Sequence, residues 1–391
     1  MFSSMKKIIL CCILSSLVAI NTNAQTVELF DENALDNATK TETNQLETVQ
    51  HLEETSQNNK NEEDKDGLLS FITKPLSLFF SADDKIKTPD GKEETFLEKA
   101  TRQALEGKLE DQMNLAYMYL YGTNGVQQDF NKAFEYYQMA AKQNDPIALN
   151  NLGSLYFNGI GVEKDNKTAL ALFKKAADLG NDNAATNLAF IYLKGGVKDP
   201  VRNKIAMDLF KKAAQSGNNV AKFMLGYAYY IGFVYQQNFD QAFNLVKSAA
   251  NGDSNIDEAQ IVLAEMYLNG KGTVQNYTKG IVAYRAAVNQ GNSEAYMKLA
   301  KIYQEGKITP QNLIMAHSLY NIASVQEETG AAKKRDKIGE KLKLEELLKA
   351  QADAQNFQPQ PSELTKYIRK TFGFDIRSYI DMNVITTQGN K

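Results

Sequence analysis

Few side chains in this sequence have the types and spacing that catalysis or metal binding requires. There are two histidines, and His51 lies in a strongly acidic stretch without a second candidate ligand. His317 occupies a helical position that is apolar elsewhere in the chain, which indicates a packed side chain. Both cysteines, Cys11 and Cys12, fall in an N-terminal apolar segment. The usual zinc sites and histidine-based triads therefore have no residues to form them, and no cofactor or metal is expected.

Phosphate-binding fingerprints are also missing from the sequence. Segments such as Gly159-Ile160-Gly161 join two predicted helices, whereas a phosphate cradle joins a strand to a helix. The formal net charge of −3 gives no overall basic character that would indicate nucleic acid as a partner. Carboxylate pairs that could hydrolyse a glycan stay open as an alternative, because the sequence alone does not single one out.

The N-terminus predicts export. Lys6 and Lys7 precede an apolar core, Ile8–Ile20, and small residues lead to a cleavage point after Ala24. Residues 1–24 are therefore expected to be a signal peptide, and the mature chain would contain no cysteine. No later apolar run is long enough to cross a membrane. We expect a periplasmic or outer-membrane-associated protein, with secretion and peripheral membrane association as alternatives.

The next two segments differ sharply in composition. Residues 25–66 hold 12 Asp and Glu against 3 Lys and Arg, with few apolar side chains. Such a segment cannot bury enough apolar area to offset its ordering entropy, so we expect disorder. Residues 67–99 are interpreted as an apolar segment and an N-terminal cap. Its run Leu68–Phe80 is expected to pack on the first helix, with a surface anchor as the alternative.

One motif dominates the rest of the chain. Leu-x-x-x-Tyr-x-x-Gly occurs six times, and successive tyrosines are 37, 36, 37, 38 and 36 residues apart. The six tyrosines are Tyr119, Tyr156, Tyr192, Tyr229, Tyr267 and Tyr303. A near-constant period of this length is typical of helical repeat proteins, whose units stack to bury one continuous core.

A second set of positions follows each motif. Ala133, Tyr137 and Ala140 begin three columns that hold a small, a large and a small residue in each unit. Their spacing places all three on one helical face. Each unit is therefore predicted to contain a helix A, with the Leu and Tyr of the motif, and a helix B. Residues four before the first small column cap helix B in five units: Asp129, Asp165, Asn238, Asn276 and Asn312, with Arg202 in the remaining unit.

These residues resemble a known family. Leu-Gly-x-Leu-Tyr-x-x-Gly-x-Gly-Val followed by Lys-Lys-Ala-Ala-x-x-Gly, best seen from Asn151 to Gly180, is similar to the Sel1-like repeat, a relative of the tetratricopeptide repeat. The resemblance implies an all-α, right-handed α/α solenoid of about six repeats over residues 100–330. The fourth repeat departs from it, with Gly232-Phe233-Val234 where Gly-x-Gly-Val is expected.

The resemblance also implies a capping helix after the last repeat. We place it at residues 331–357, with a coiled coil as the alternative, although no heptad pattern is sustained there. Pro359 and Pro361 end this helix. The tail, residues 358–391, is expected to add one short helix and a loose end.

In such solenoids helix A lines the concave face, and this implies a binding surface. The residue before the motif Leu is Asn in three consecutive units, where its amide could bond an extended partner backbone. The alternative is that Asn is simply common there in the family. Tyr121, Tyr227, Tyr230 and Tyr235 are further candidates, although such tyrosines more often belong to the core. The predicted partner-binding residues are Asn114, Asn151, Asn187, Met224 and Lys298, with Val262 at the same position.

The sequence thus favours a non-catalytic protein–protein interaction scaffold in a bacterial cell envelope. Its partners would be envelope proteins, and its role would be in envelope integrity or host interaction. The alternative is a cell-wall-glycan hydrolase or a regulator of one. A deep pocket with two facing carboxylates would favour the hydrolase, whereas an open groove along helix A would favour the scaffold.

Overall fold

A computed structural model describes residues 82–87, 93–194, 199–252, 254–372 and 375–381 of the chain. The predicted signal peptide, the acidic segment 25–66 and the run Leu68–Phe80 lie outside the described residues, so they stay predictions. In the described part of the chain, no helix is long and apolar enough to cross a membrane.

The described chain is helical apart from one small hairpin. Strands β1 (Lys85–Lys87) and β2 (Glu93–Thr95) pair antiparallel, with Lys85 opposite Thr95. The helices are α1 (Phe96–Leu105), α2 (Leu109–Tyr121), α3 (Phe130–Lys142), α4 (Pro146–Asn158), α5 (Asn166–Asp178), α6 (Asp182–Leu193), α7 (Pro200–Gln215), α8 (Asn219–Ile231), α9 (Phe239–Ala250), α10 (Asp257–Asn269), α11 (Tyr277–Asn289), α12 (Ser293–Glu305), α13 (Leu313–Val325), α14 (Ala331–Gly339), α15 (Leu344–Asn356) and α16 (Glu363–Phe372).

The helices pair as the repeat predicted. Helix A and helix B of one unit pack against each other in α2/α3, α4/α5, α6/α7, α8/α9, α10/α11 and α12/α13. From α3 to α10, each helix B also packs on the next helix A. The all-α repeat fold is therefore confirmed. The β1–β2 hairpin before α1 is an element that the sequence did not indicate.

The chain divides into two compact units. One unit contains the hairpin, helices α1–α11 and α16. The other spans residues 293–359, and in it α13 packs against α12, α14 and α15. The single capping helix expected at residues 331–357 is in fact two helices, α14 and α15. At the start of the second helix, the backbone N–H of Lys343 donates to the Glu346 carboxylate at 2.9 Å.

The three columns of helix B form the core of the repeats. Large side chains of the middle column, such as Phe173 and Phe210, are buried, and His317 is buried in α13. Small residues on both sides let helices approach closely enough to enclose these rings. The second alanine column is completely buried in all six units: Ala140, Ala176, Ala213, Ala249, Ala287 and Ala323.

Side-chain caps start helix B in the described repeats, and five of them are the residues that the sequence predicted. Asp165, for example, accepts from the backbone N–H groups of Lys167 and Thr168 at 2.9 and 3.1 Å. The third repeat differs, because Asp199 is the cap and Pro200 begins the helix. Arg202 therefore lies inside α7, which starts earlier than the spacing of the other repeats predicted.

The second glycine of the Gly-x-Gly segment is required by a close approach. A Cβ at Gly161 or Gly272 would lie 2.1 Å from the carbonyl oxygen of the first residue of the preceding helix B, Phe130 or Phe239. Both glycines also have positive φ, 67° and 68°. In the fourth repeat Val234 holds the corresponding place with φ 63°. A β-branched residue is strained in this left-handed region.

We therefore expect Val234→Gly to raise the free energy of unfolding by up to about 1 kcal/mol, because the steric cost that glycine removes exceeds the entropy that it adds to the unfolded chain. The matched control is Val274→Gly, since Val274 lies in a comparable loop, is 86% exposed and does not have positive φ. That substitution should lower stability slightly through the entropy of the unfolded chain. Urea unfolding of the two variants checks this, and equal shifts would contradict strain at Val234.

The buried alanine column gives a second prediction. Ala249→Phe should destabilise the protein by about 1–3 kcal/mol or more, because a ring cannot fit the close helix contact. Ser248→Phe is the control, since Ser248 is the neighbouring exposed residue of α9. Thermal unfolding followed by helical circular dichroism compares them. Similar losses in both variants would show that the alanine column does not hold the helices together.

Candidate functional site

Two of the predicted asparagines on helix A, Asn151 and Asn187, are linked by side-chain hydrogen bonds, and two of the three are buried. Asn114 and Asn187 are 7% and 6% exposed, while Asn151 is partly exposed. The Asn187 amide donates to the Asn150 side chain at 2.9 Å, and Asn150 donates to Asn151 at 3.2 Å. The amides of α4 and α6 are therefore joined through Asn150, a residue that the sequence did not single out.

The other predicted residues of this set are not brought together on a surface. Met224 and Val262 are completely buried in α8 and α10, so their side chains present no accessible area. Lys298 belongs to the other compact unit and pairs with Glu294 at 3.1 Å. Partner binding by the set stays a prediction, and Asn151 offers the most accessible amide of the three asparagines.

The side of the repeats on which Asn187 lies also contacts a part of the chain that was predicted to be a tail. We call residues 360–372 and 375–381 the C-terminal segment. Its main polar anchor is at α10, where Asp257 and Glu258 are only 2% and 1% exposed. Arg369 Nη2 lies 2.6 Å from Asp257 Oδ2, and Arg377 Nε lies 3.1 Å from Glu258 Oε2. Carboxylates are rarely buried to this extent unless they are paired.

Both carboxylates accept further hydrogen bonds. Asn292 Nδ2 donates to Asp257 Oδ2 at 2.8 Å. Glu258 Oε1 accepts the backbone N–H of Ile376 at 2.8 Å. The two acids stand in the first turn of α10, where the helix dipole also favours negative charge. Burial raises the pKa of Glu258 well above its usual range, and the nearby charge of Arg377 opposes that rise.

Side-chain hydroxyls fix the start of the C-terminal segment. Thr365 Oγ1 donates to Gln290 Oε1 at 2.7 Å, and the Ser362 backbone N–H donates to the same oxygen at 3.2 Å. The Gln360 backbone N–H donates to the carbonyl of Asn289 at 2.6 Å. These bonds attach the beginning of the segment to the end of α11 and leave Asp257 within reach of Arg369.

Aromatic and apolar contacts continue along α8 and α6. The Tyr227 hydroxyl donates to Asp381 Oδ1 at 2.7 Å, and burial together with this carboxylate raises the pKa of Tyr227. The Tyr379 ring meets Phe190 edge to face, with centroids 5.1 Å apart. Ile376 and Ile380 are completely buried. The segment therefore combines arginine contacts with an apolar seal.

A pocket lies where Tyr379 meets α4 and α6. Its walls carry apolar rings, amides and one lysine, and no carboxylate. Lys194 lines the pocket, and its Nζ stands 4.7 Å from the ring centre of Phe157. The lining residues are Ser154, Phe157, Asn158, Phe173, Asn187, Phe190, Ile191, Lys194 and Tyr379. Asn187 is thus the predicted asparagine that reaches the edge of the C-terminal segment.

The candidate tyrosines fall into two groups. Tyr227 and Tyr121 face the C-terminal segment, and Lys370 Nζ lies 5.9 Å from the centre of the Tyr121 ring. Tyr230 and Tyr235 instead bond within the repeats. Burial and Glu265, which accepts from the Tyr230 hydroxyl at 3.3 Å, raise the pKa of Tyr230 to about 12. A proton-transfer role for this hydroxyl near neutral pH has no support.

The arrangement suits binding better than hydrolysis. Asp257 and Glu258 are neighbouring carboxylates, yet each is held by an arginine and covered by the C-terminal segment. A glycosidase needs two carboxyl groups that flank a bound glycan. Among the residues that the structure describes, no group of three or more His, Cys, Asp or Glu is placed to hold a metal ion.

One sequence signal could have indicated the C-terminal segment. The chain contains 6 arginines among its 44 basic residues, and two of them, Arg369 and Arg377, fall in the predicted tail. Arginine is the basic residue best suited to buried ion pairs, because its guanidinium is planar and weakly hydrated. Ile368, Ile376 and Ile380 lie beside them in sequence. Arginines and isoleucines in this pattern are unlike the loose end that was expected after one short helix in the tail.

Comparison with known proteins agrees with the repeat architecture. The family model for the Sel1 repeat matches six consecutive segments, residues 109–145, 146–181, 182–218, 219–254, 257–292 and 293–324. A solved Sel1 repeat protein from Oxalobacter formigenes is 26% identical, with a TM-score of 0.50. That similarity covers 59% of this chain and 99% of the solved one.

Two curated proteins match over shorter stretches. Chitin synthase regulatory factor 3 of Schizosaccharomyces pombe is 36% identical over 74 residues, which are 19% of this chain. The ERAD-associated E3 ubiquitin-protein ligase component HRD3B of Arabidopsis thaliana is 32% identical over 121 residues, 30% of this chain. The chain spans only 8% and 19% of the lengths of these relatives, so the likeness concerns the repeats.

The pair of Glu258 and Arg377 yields a prediction. Arg377→Met should lower the free energy of unfolding by up to about 3–5 kcal/mol, because it leaves a buried carboxylate without its cation. The double variant Glu258→Gln/Arg377→Met should recover much of that loss. Urea unfolding measures both.

An exposed pair provides the control for this cycle. Lys204 Nζ lies 2.9 Å from Asp208 at the surface of α7, and both side chains are more than half exposed. Lys204→Met should therefore cost less than about 1 kcal/mol. If Arg377→Met costs no more than Lys204→Met, the C-terminal segment is not held by its buried ion pair.

Proposed function

Because the chain belongs to the Sel1 repeat family, we propose that it is an exported, non-catalytic interaction scaffold of a bacterial cell envelope. Sel1 repeats mediate protein–protein interaction, and the family is generally a non-catalytic scaffold fold. The binding surface in this proposal is the helix A face of α4, α6, α8 and α10. Export rests on the N-terminal residues 1–24, and envelope integrity or host interaction is the role proposed for the scaffold at that location.

One observation carries the binding surface. The helix A face already holds an extended part of the chain, since the C-terminal segment lies along it with arginine, hydroxyl and aromatic contacts. Contacts of this kind, spread over several repeats, are those by which a solenoid recognises an extended partner. The names of the two curated relatives, a regulatory factor and a ligase component, are consistent with proteins that work through other proteins.

Site-specific photo-cross-linking in cells tests this function. A cross-linking residue in place of Asn158, which is exposed on helix A of the second repeat, should form an adduct with another envelope protein. The control position is Lys174, which is exposed on helix B of the same repeat. Adducts of equal yield at both positions, or at Lys174 alone, would place the binding surface elsewhere. An adduct found in the cytosol would contradict the envelope location.

A further inference from the structure

Building on the proposed function, we infer that the C-terminal segment is a displaceable latch. It occupies in cis the helix A face that binds the partner. The partner binds this face with an apolar segment that carries arginine. The arginines of that segment replace Arg369 and Arg377 at Asp257 and Glu258. The surface therefore prefers segments that carry arginine, and in the free protein the latch covers it.

The preference comes from Asp257 and Glu258. When the latch is away, both carboxylates can be hydrated at the first turn of α10. Any segment that covers them removes this water, so it must supply a cation in return. A neutral apolar segment would leave two buried charges without partners, and its binding would be weaker by roughly a hundredfold or more. The two acids thus select against segments without arginine as well as for those that have it.

The latch has the chemistry of a ligand rather than of a repeat. Arg377 Nε, its backbone N–H and the N–H of Ile376 all converge on Glu258, at 3.1, 3.3 and 2.8 Å. Tyr379 and Ile380 fill apolar space beside them. Every latch residue in these contacts lies outside the six matched repeats, which end at residue 324. The repeats therefore form a surface whose complement is supplied by a separate part of the chain.

Covalent attachment gives the latch an advantage over a partner. A tethered segment experiences an effective concentration in the millimolar range, so a free segment of equal affinity competes poorly at low concentration. A partner displaces the latch when it binds more tightly or contacts additional repeats. A segment that carries arginine but binds weakly therefore does not displace the latch.

Thiol labelling of the mature chain, residues 25–391, tests the latch. This chain has no cysteine of its own, so Ile380→Cys introduces a single thiol at a buried position of the latch. The added substitution Arg377→Met should increase its labelling rate by about tenfold or more, because opening becomes easier. Ala249→Cys, buried in the repeat core, is the control and should label far more slowly than Ile380→Cys both with and without Arg377→Met, because it becomes accessible only when the repeats unfold.

A synthetic peptide with the sequence of residues 360–381 tests displacement. Added in excess to the Ile380→Cys protein, it should accelerate labelling, whereas the same peptide with Met in place of Arg369 and Arg377 should not. Neither peptide should change the labelling of Ala249→Cys. Circular dichroism of each protein checks that helical content is kept.

Two results would overturn the inference. If Ile380→Cys with Arg377→Met labels as slowly as Ala249→Cys, the segment is a fixed part of the fold. If the methionine peptide accelerates labelling as well as the arginine peptide, the acids do not select the ligand. Neither result affects the cross-linking at Asn158, which tests partner binding itself. If labelling is as expected but Asn158 forms no adduct, the proposed function is contradicted whereas the latch is not.

Discussion

The close approach of helices at the alanine columns is the constraint on which this structure depends. Ala213 and Ala249 are completely buried, and rings such as Phe210 fill the space that the small residues leave. Because the contact recurs from repeat to repeat, the helices A from α2 to α10 present their remaining side chains on a common face. Larger residues in these columns would separate the helices and disperse that face. The packing of helix B thus decides where binding groups on helix A can act together.

The helix A face contains buried polar side chains. Amides of Asn150, Asn151 and Asn187 bond one another, and the carboxylates of Asp257 and Glu258 bond arginines. Buried polar groups are tolerated only when they are satisfied, and here the C-terminal segment supplies the groups that satisfy the acids. The acids can be buried because the segment supplies arginines to them. The arginines are held in turn because the acids are there to pair with them.

Local rules hold in most repeats, and the exceptions have identifiable causes. Asp199 caps α7 in place of Arg202 because an Asp-Pro pair occurs three residues earlier. Val234 adopts positive φ where Gly161 and Gly272 stand in other repeats, so the backbone geometry persists without the residue that favours it. Contacts with neighbouring repeats are strong enough to hold one strained residue in the common conformation.

The sequence by itself determined the repeats, since a near-constant period, helical spacing and capping residues are properties of neighbouring positions. It located the alanine columns, five of the six caps of helix B and the six units that the family model matches. Tertiary structure alone decided which of the aligned residues remain accessible. Met224 and Asn187 share a column on helix A, yet Met224 is fully buried whereas Asn187 reaches the edge of a pocket. The pairing of Glu258 with Arg377 joins residues 119 positions apart. No local pattern encodes such a contact, because both charges lose their water only when the segment folds back onto the repeats. The attraction within the pair and the burial of Ile376 and Ile380 offset that cost.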